Sequence, residues 1–177
     1  MRRFALALLT LGLLSACSTG DKPLRIEQAP EQRMFTPVKM RLHPIFSGIK
    51  DWTGDGQTDG VEAEVEFLDR FGDPTKASGR LIFELYNYRE GYPDPRGDRV
   101  VNPFAGSLLT AEEQQIHWNR TSRTYSFKLA YPAISTTHRY VLTAIFEPVS
   151  GPRMFDRIVL KGEESRRARP ASQPTTR

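Results

Sequence analysis

The chain has 177 residues, with 25 Lys and Arg against 21 Asp and Glu, three His and a single Cys. Arg2, Arg3, Arg166, Arg167, Arg169 and Arg177 lie at the two ends, and removing these six from 25 leaves 19 cations against 21 acids. The body is therefore slightly acidic, so nucleic acid is not its natural partner, and one cysteine excludes a disulfide-stapled scaffold.

Arg2 and Arg3 precede an apolar run of eleven residues, Phe4 to Leu14 ("FALALLTLGLL"). A membrane-spanning helix needs about 20 apolar residues, so the run predicts a secretion signal over 1–16 instead. It ends in "LSAC", Leu14-Ser15-Ala16-Cys17, which resembles the lipobox of bacterial lipoproteins. The resemblance implies a diacylglycerol on the Cys17 sulfur, cleavage before it and acylation of the new amino group. Two or three acyl chains anchor a protein stably where one does not. Ser18, rather than Asp, follows the cysteine, and by the same resemblance this favours the outer membrane. With Cys17 lipidated, the folded part has no thiol for catalysis or metal binding.

Residues 17–36 are poor in apolar side chains and read as a tether; a flexible coil of nineteen residues reaches about 24 Å. Period-two alternation then dominates to Leu160. Val38, Met40 and Leu42 alternate with Lys39, Arg41 and His43, and Val61, Ala63, Val65 and Phe67 alternate with Glu62, Glu64 and Glu66. Further strands are predicted around Leu81–Leu85, Tyr125–Leu129, Tyr140–Phe146 and Phe155–Leu160. Phe67, Phe83, Leu85, Phe127, Leu142 and Phe146 fall at inward positions and should share one core. Thr110 and Glu113 have capping-box spacing for one short helix. "YREGYPDPRGDRVVNP" carries Gly and Pro too often for regular structure and reads as a long loop. The Arg-, Pro- and Ser-rich segment 163–177 has too little to bury and should be disordered.

About seven short strands over residues 37–162 predict an all-β fold, an antiparallel β-sandwich. "VEAEVEFLDRFGDPTKASGRLIFEL" resembles the strand–turn–strand of bacterial immunoglobulin-like domains, at Asp69, Gly72, Pro74, Gly79 and the inward Phe83, with about two extra residues after Pro74. The likeness spans about 25 residues and bears on fold alone.

"DWTGDGQTDGVE" is the one constellation with metal-ligand spacing. Asp51, Thr53, Asp55, Gln57, Asp59 and Glu62 occupy the ligand positions of an EF-hand loop, with Gly56 at its sharp turn. The run also resembles the calcium loops of FG-GAP repeats, which lead directly into a strand. Thr53 departs from the usual Asp or Asn, and Glu62 lies within an alternating strand. The competing reading is an Asp/Gly turn whose side chains hydrogen-bond their own backbone. His43, His117 and His138 are scattered, without zinc-ligand spacing. No G-x-S-x-G, Walker or dinucleotide motif is present. Tyr86, Tyr88, Tyr92, Trp118, Tyr125 and Tyr131 serve either packing or a sugar-stacking platform.

The function expected is that of a lipid-anchored envelope module, binding or structural and not an enzyme, whose partner is an envelope protein or polysaccharide. A calcium-dependent carbohydrate-binding module and a polymer-degrading hydrolase are the alternatives.

Overall fold

The computed structural model describes residues 34–161. The signal 1–16, Cys17, the tether as far as residue 33 and the segment 163–177 lie outside the described residues.

The strands form where alternation predicts them. β1 (Lys39–Leu42), β3 (Gly60–Leu68), β4 (Gly79–Tyr88), β8 (Thr124–Ala130), β9 (Tyr140–Pro148) and β10 (Met154–Leu160) each bury the face turned to the core, and β3 and β9 are largely buried on both faces. Four shorter strands join them: β2 (Gly48–Lys50), β5 (Arg96–Arg99), β6 (Phe104–Ser107) and β7 (Trp118–Asn119). The described residues thus hold ten strands where about seven were expected. The four short ones have two to four residues, too few for a period to register. One correction concerns the expected loop from Tyr88 to Pro103, which contains β5. This strand is written without apolar alternation because it only completes an edge, pairing Arg99 with Tyr86 and Arg96 with Tyr88.

Two antiparallel sheets result. The first runs β1–β3–β8–β7, with β2 also on β3; the second runs β10–β9–β4–β5, with β6 also on β4. In each sheet one long strand carries two short ones in succession along the same edge. β1 covers Val65–Leu68 and β2 covers Gly60–Glu62, while β6 covers Arg80–Phe83 and β5 the far end of β4.

The core lies between the sheets. All six residues placed there by period are buried in one cluster: Phe67, Phe83, Leu85, Phe127, Leu142 and Phe146. Phe67 of the first sheet meets Phe146 of the second with ring centroids 4.5 Å apart, and Phe83 meets Phe127 at 5.1 Å. Tilted aromatic pairs of this kind add to the roughly 1.5–3 kcal/mol that burying each such side chain contributes. Val38 departs from the inward phase expected of it. It is 56% exposed because β1 begins one residue later, leaving Val38 past the end of the sandwich.

The helix α1 (Ala111–His117) connects the sheets and starts as its sequence predicts. The Thr110 hydroxyl accepts the Glu113 N–H, and the Glu113 carboxylate accepts the Thr110 and Leu109 N–H groups. Gln114 then reaches into the sandwich, donating to the Ala77 carbonyl at 2.6 Å and accepting from the buried Tyr125 hydroxyl.

Truncating a buried Phe costs about 3–5 kcal/mol, a large part of a small domain's stability. Phe83→Ala should therefore unfold or strongly destabilise the protein in denaturant melts, and a loss below about 1 kcal/mol would refute the assigned packing. Gly79→Ala should also destabilise, because its Cβ would lie 2.3 Å from the Glu147 carbonyl oxygen and 2.7 Å from the Phe146 ring.

Candidate functional site

The acidic loop joins β2 to β3, and its carboxylates turn toward its own backbone. Asp51 accepts the Gly54 N–H at 2.6 Å and the Gly56 N–H at 2.8 Å. Asp55 accepts the Gln57 N–H at 2.8 Å, and Asp59 accepts Trp52 and Thr53 N–H groups at 2.7 and 2.9 Å. Thr53 donates its hydroxyl to Asp59 as well. Gly54 and Gly56 take φ of 79° and 85°, the left-handed conformation that lets the chain fold around the Asp51 carboxylate. Those N–H groups, Gly54 first and Gly56 second, hold the Asp51 carboxyl below its ordinary value of 3.8.

Glu62, at the closing position of the calcium pattern, lies instead on the outer face of the first sheet, where it accepts the Ser126 hydroxyl at 3.0 Å. Among the described residues no group of three or more His, Cys, Asp or Glu is gathered where it could hold a metal ion. Calcium takes six to eight oxygens at one centre, and the loop as folded spends its oxygens on five backbone N–H groups. The arrangement fits the turn reading.

The three histidines remain apart. His43 stacks on Phe46 at 4.2 Å, and His138 meets Tyr140 edge-on at 6.5 Å. His117, in the last turn of α1, donates from Nδ1 to the Ser126 carbonyl at 2.8 Å and stacks on Phe127.

The aromatic candidates divide by face. Tyr125 is core, and Trp118 packs on it with Lys76 above the indole ring. Tyr131 is half-buried against the same core. Tyr86, Tyr88 and Tyr92 belong to the second sheet and the loop beyond it. A guanidinium lies over each: Arg96 over Tyr86 at 5.6 Å, Arg139 over Tyr88 at 3.8 Å and Arg89 over Tyr92 at 3.9 Å. Each stacked pair is worth about 0.5–1 kcal/mol at an exposed site.

Around Tyr86 these pairs merge into a network that sequence reasoning missed. Tyr86 donates to Glu84 at 2.8 Å, Arg99 reaches Glu84 at 3.4 Å, and Arg96 forks onto Asp94. Arg157 of β10 crosses the sheet face to the same Asp94 at 2.9 Å. Its hydrogen bonds from Arg96 hold the Asp94 carboxyl well below the usual carboxylate range. Partial burial, then the Glu84 contact, push the Tyr86 hydroxyl upward. The visible signal was Glu84, Tyr86 and Tyr88 at period two on one face. Arg139, just before β9, and Arg157 of β10 are remote in sequence and gave none.

Across this outer face the register also aligns an apolar row, Phe155–Ile145–Ile82–Ala105. This face thus combines aromatic rings, guanidiniums and an apolar row. Its carboxylates are committed to arginines rather than poised for proton transfer. Comparison with protein-family models, with curated proteins and with solved structures returned no match.

Millimolar calcium and chelator should give superimposable thermal melts, since the loop carboxylates already have donors. A calcium-dependent rise in Tm that Asp59→Ala abolishes would assign the loop to the ion instead, because a ligand bound only by the folded state stabilises it. The depressed Asp51 carboxyl contributes stability above pH 3.8 that is lost as pH falls through its folded value. Asp51→Asn should therefore flatten the acid limb of the stability profile below about pH 4.

Proposed function

We propose that the protein is a cell-envelope lipoprotein, held at the outer membrane by acyl chains on Cys17, whose domain is a non-catalytic binding or structural module. The observation that carries this reading is the placement of "LSAC" directly after a charged n-region and an eleven-residue apolar run. The folded part supports it by its economy of reactive groups. Asp51, Asp55, Asp59, Asp69 and Glu113 accept backbone N–H groups, and Glu66, Glu84, Asp94 and Glu147 pair with arginines. Those bonds shape loops and faces. The partner is an envelope protein or polysaccharide, and the outer face of the second sheet is where we place its contacts.

We assign the sandwich an immunoglobulin-like order. In that order one sheet holds the first, second, fifth and fourth strands, and the other holds the third, sixth and seventh. Counting β1, β3, β4, β7, β8, β9 and β10 as the seven, the first sheet runs β1–β3–β8–β7 and the second runs β10–β9–β4. That agreement, with the Asp69–Pro74 turn, supports the assignment.

In a two-membrane bacterium the protein should fractionate with the outer membrane, and mass spectrometry should find an acylated Cys17 at its N-terminus. Cys17→Ala should yield uncleaved precursor or released domain. A native N-terminus bearing an unmodified thiol would overturn the reading.

A further inference from the structure

Five of the ten exposed large apolar side chains among the described residues lie at one end of the sandwich, where β1, β4 and β10 begin and β3, β6 and β9 finish. Phe35, Val38, Phe71, Leu109 and Val149 are 64, 56, 65, 43 and 70% exposed. All five are strung along the connector from β3 to β4, residues 69–78. Phe71 belongs to it. The Phe35 carbonyl accepts the Thr75 hydroxyl at 2.9 Å, and the Val149 N–H donates to the Ser78 carbonyl at 3.1 Å. Val38 donates to the Leu68 carbonyl at 2.8 Å, and Leu108, beside Leu109, donates to the Gly79 carbonyl at 2.9 Å. None of the five joins the core. Each would be cheaper to place elsewhere than in water.

Cations interleave with them. Lys39, Arg70, Lys76, Arg80 and Arg153 are exposed at this end, against Asp73, Glu112 and Glu147, and Arg153 already pairs with Glu147. Apolar tips among lysines and arginines match the headgroup zone of a phospholipid bilayer, where the tips reach the acyl boundary and the cations meet phosphates.

The course of the chain selects the membrane over other occupants. Met34 and Phe35 lie at this end, seventeen residues from Cys17, whereas β10 carries the chain to the opposite end at Leu160. The coil reach expected of the tether, about 24 Å, is shorter than the nine residues of β3, which at about 3.3 Å each span roughly 30 Å. At that average reach, a lipid on Cys17 presents this end to the bilayer more often than the other. Tethering also makes the contact intramolecular, so a patch too weak to bind alone can still engage. We infer that the connector end of the sandwich rests on the phospholipid surface and sets the orientation of the domain. This inference rests on the lipid-anchored reading above.

The test uses the full chain, processed in a two-membrane bacterium and reconstituted in vesicles of phosphatidylethanolamine and phosphatidylglycerol. One engineered cysteine at a time carries a fluorophore: Ser150→Cys beside Val149, or Ala133→Cys at the far end. The unsubstituted chain should take up no thiol-reactive dye, because the Cys17 sulfur is in thioether linkage; uptake there overturns the anchored reading itself. With a quencher on the lipid headgroups, the Ser150→Cys reporter should be quenched several-fold more than the Ala133→Cys reporter. Phe71→Asp should lower the first to the level of the second while the chain still floats with the vesicles. Equal quenching at both reporters in a floating chain overturns the inference and leaves the anchor standing. Self-quenching of the Ser150→Cys reporter without the lipid quencher assigns the patch to a second copy and likewise overturns it.

Discussion

The carboxylate of Asp69 sits inside the turn that carries the chain from one sheet to the other, and both layers depend on that crossing. Its Oδ1 accepts the N–H groups of Phe71 at 2.8 Å and Asp73 at 3.1 Å. The Asp69 N–H and carbonyl close the same turn onto Asp73 and Gly72, each at 3.0 Å. Gly72 takes a φ of 86°, which a side chain would resist, and Pro74 lies opposite Leu68 as the last bridge of the strand. Thr75 then returns its N–H to the Phe67 carbonyl. The phase of β4 follows from this crossing: Leu81, Phe83 and Leu85 face the interior that Phe67 already occupies. At Gly79 the backbone passes so close to Glu147 and Phe146 that no Cβ fits, which joins β9 to the crossing.

A two-sheet fold of this kind leaves strand edges that must be kept from pairing with other chains. The domain breaks those edges. β1 and β2 are separated by the excursion through His43–Ser47, and β5 and β6 by Val100–Pro103, so neither offers a long ladder. Where β1 faces β10 across the open side of the sandwich, Asp156 points inward and its carboxylate accepts the Leu42 N–H at 2.8 Å. A charge on an edge strand thus satisfies the donor that another strand would have used. Arg41 and Arg157 add cations on either side, each held by a carboxylate, Glu66 and Asp94.

Much of this was legible because the side chains of long strands repeat every two residues. Val61 to Phe67, Leu81 to Leu85 and Tyr140 to Phe146 are long enough for the period to fix both strand and phase, and their inward residues are the core. The capping box at Thr110 was legible for a different reason: both of its hydrogen bonds are local in sequence. What escaped depends on distant partners. β2, β5, β6 and β7 exist because β3, β4 and β8 offer them an edge, and nothing within two to four residues records that offer. The Asp94 network unites β10 with the loop before β5, 63 residues apart, and only the fold brings Arg157 to it. The loop at Asp51 lies between these cases. Its spacing was visible, but one spacing serves two chemistries, and only the fold shows the Asp51 carboxylate turned toward the Gly54 and Gly56 N–H groups.

The two outer faces carry different chemistry, and their placement follows from the same crossing. The first sheet presents Glu62, Glu64 and Glu66 along β3, of which Glu64 bonds Thr124 and Glu66 bonds Arg41. Glu64 and Glu66 are only 7% exposed, so their charges are desolvated and depend on those partners. The second sheet presents stacked Tyr–Arg pairs and the apolar row from Phe155 to Ala105. With the connector end on the lipid surface, strands in both sheets run away from the membrane and both faces look sideways. A partner approaching along the membrane would then meet a face of mixed, internally bonded charge on one side and a tyrosine–arginine face on the other. The second combines its stacked Tyr–Arg pairs with the apolar row. A lipid-tethered module held in this way would confine its search for a partner to two dimensions. In the orientation proposed above, the end contacts would serve the tyrosine–arginine face rather than the anchor.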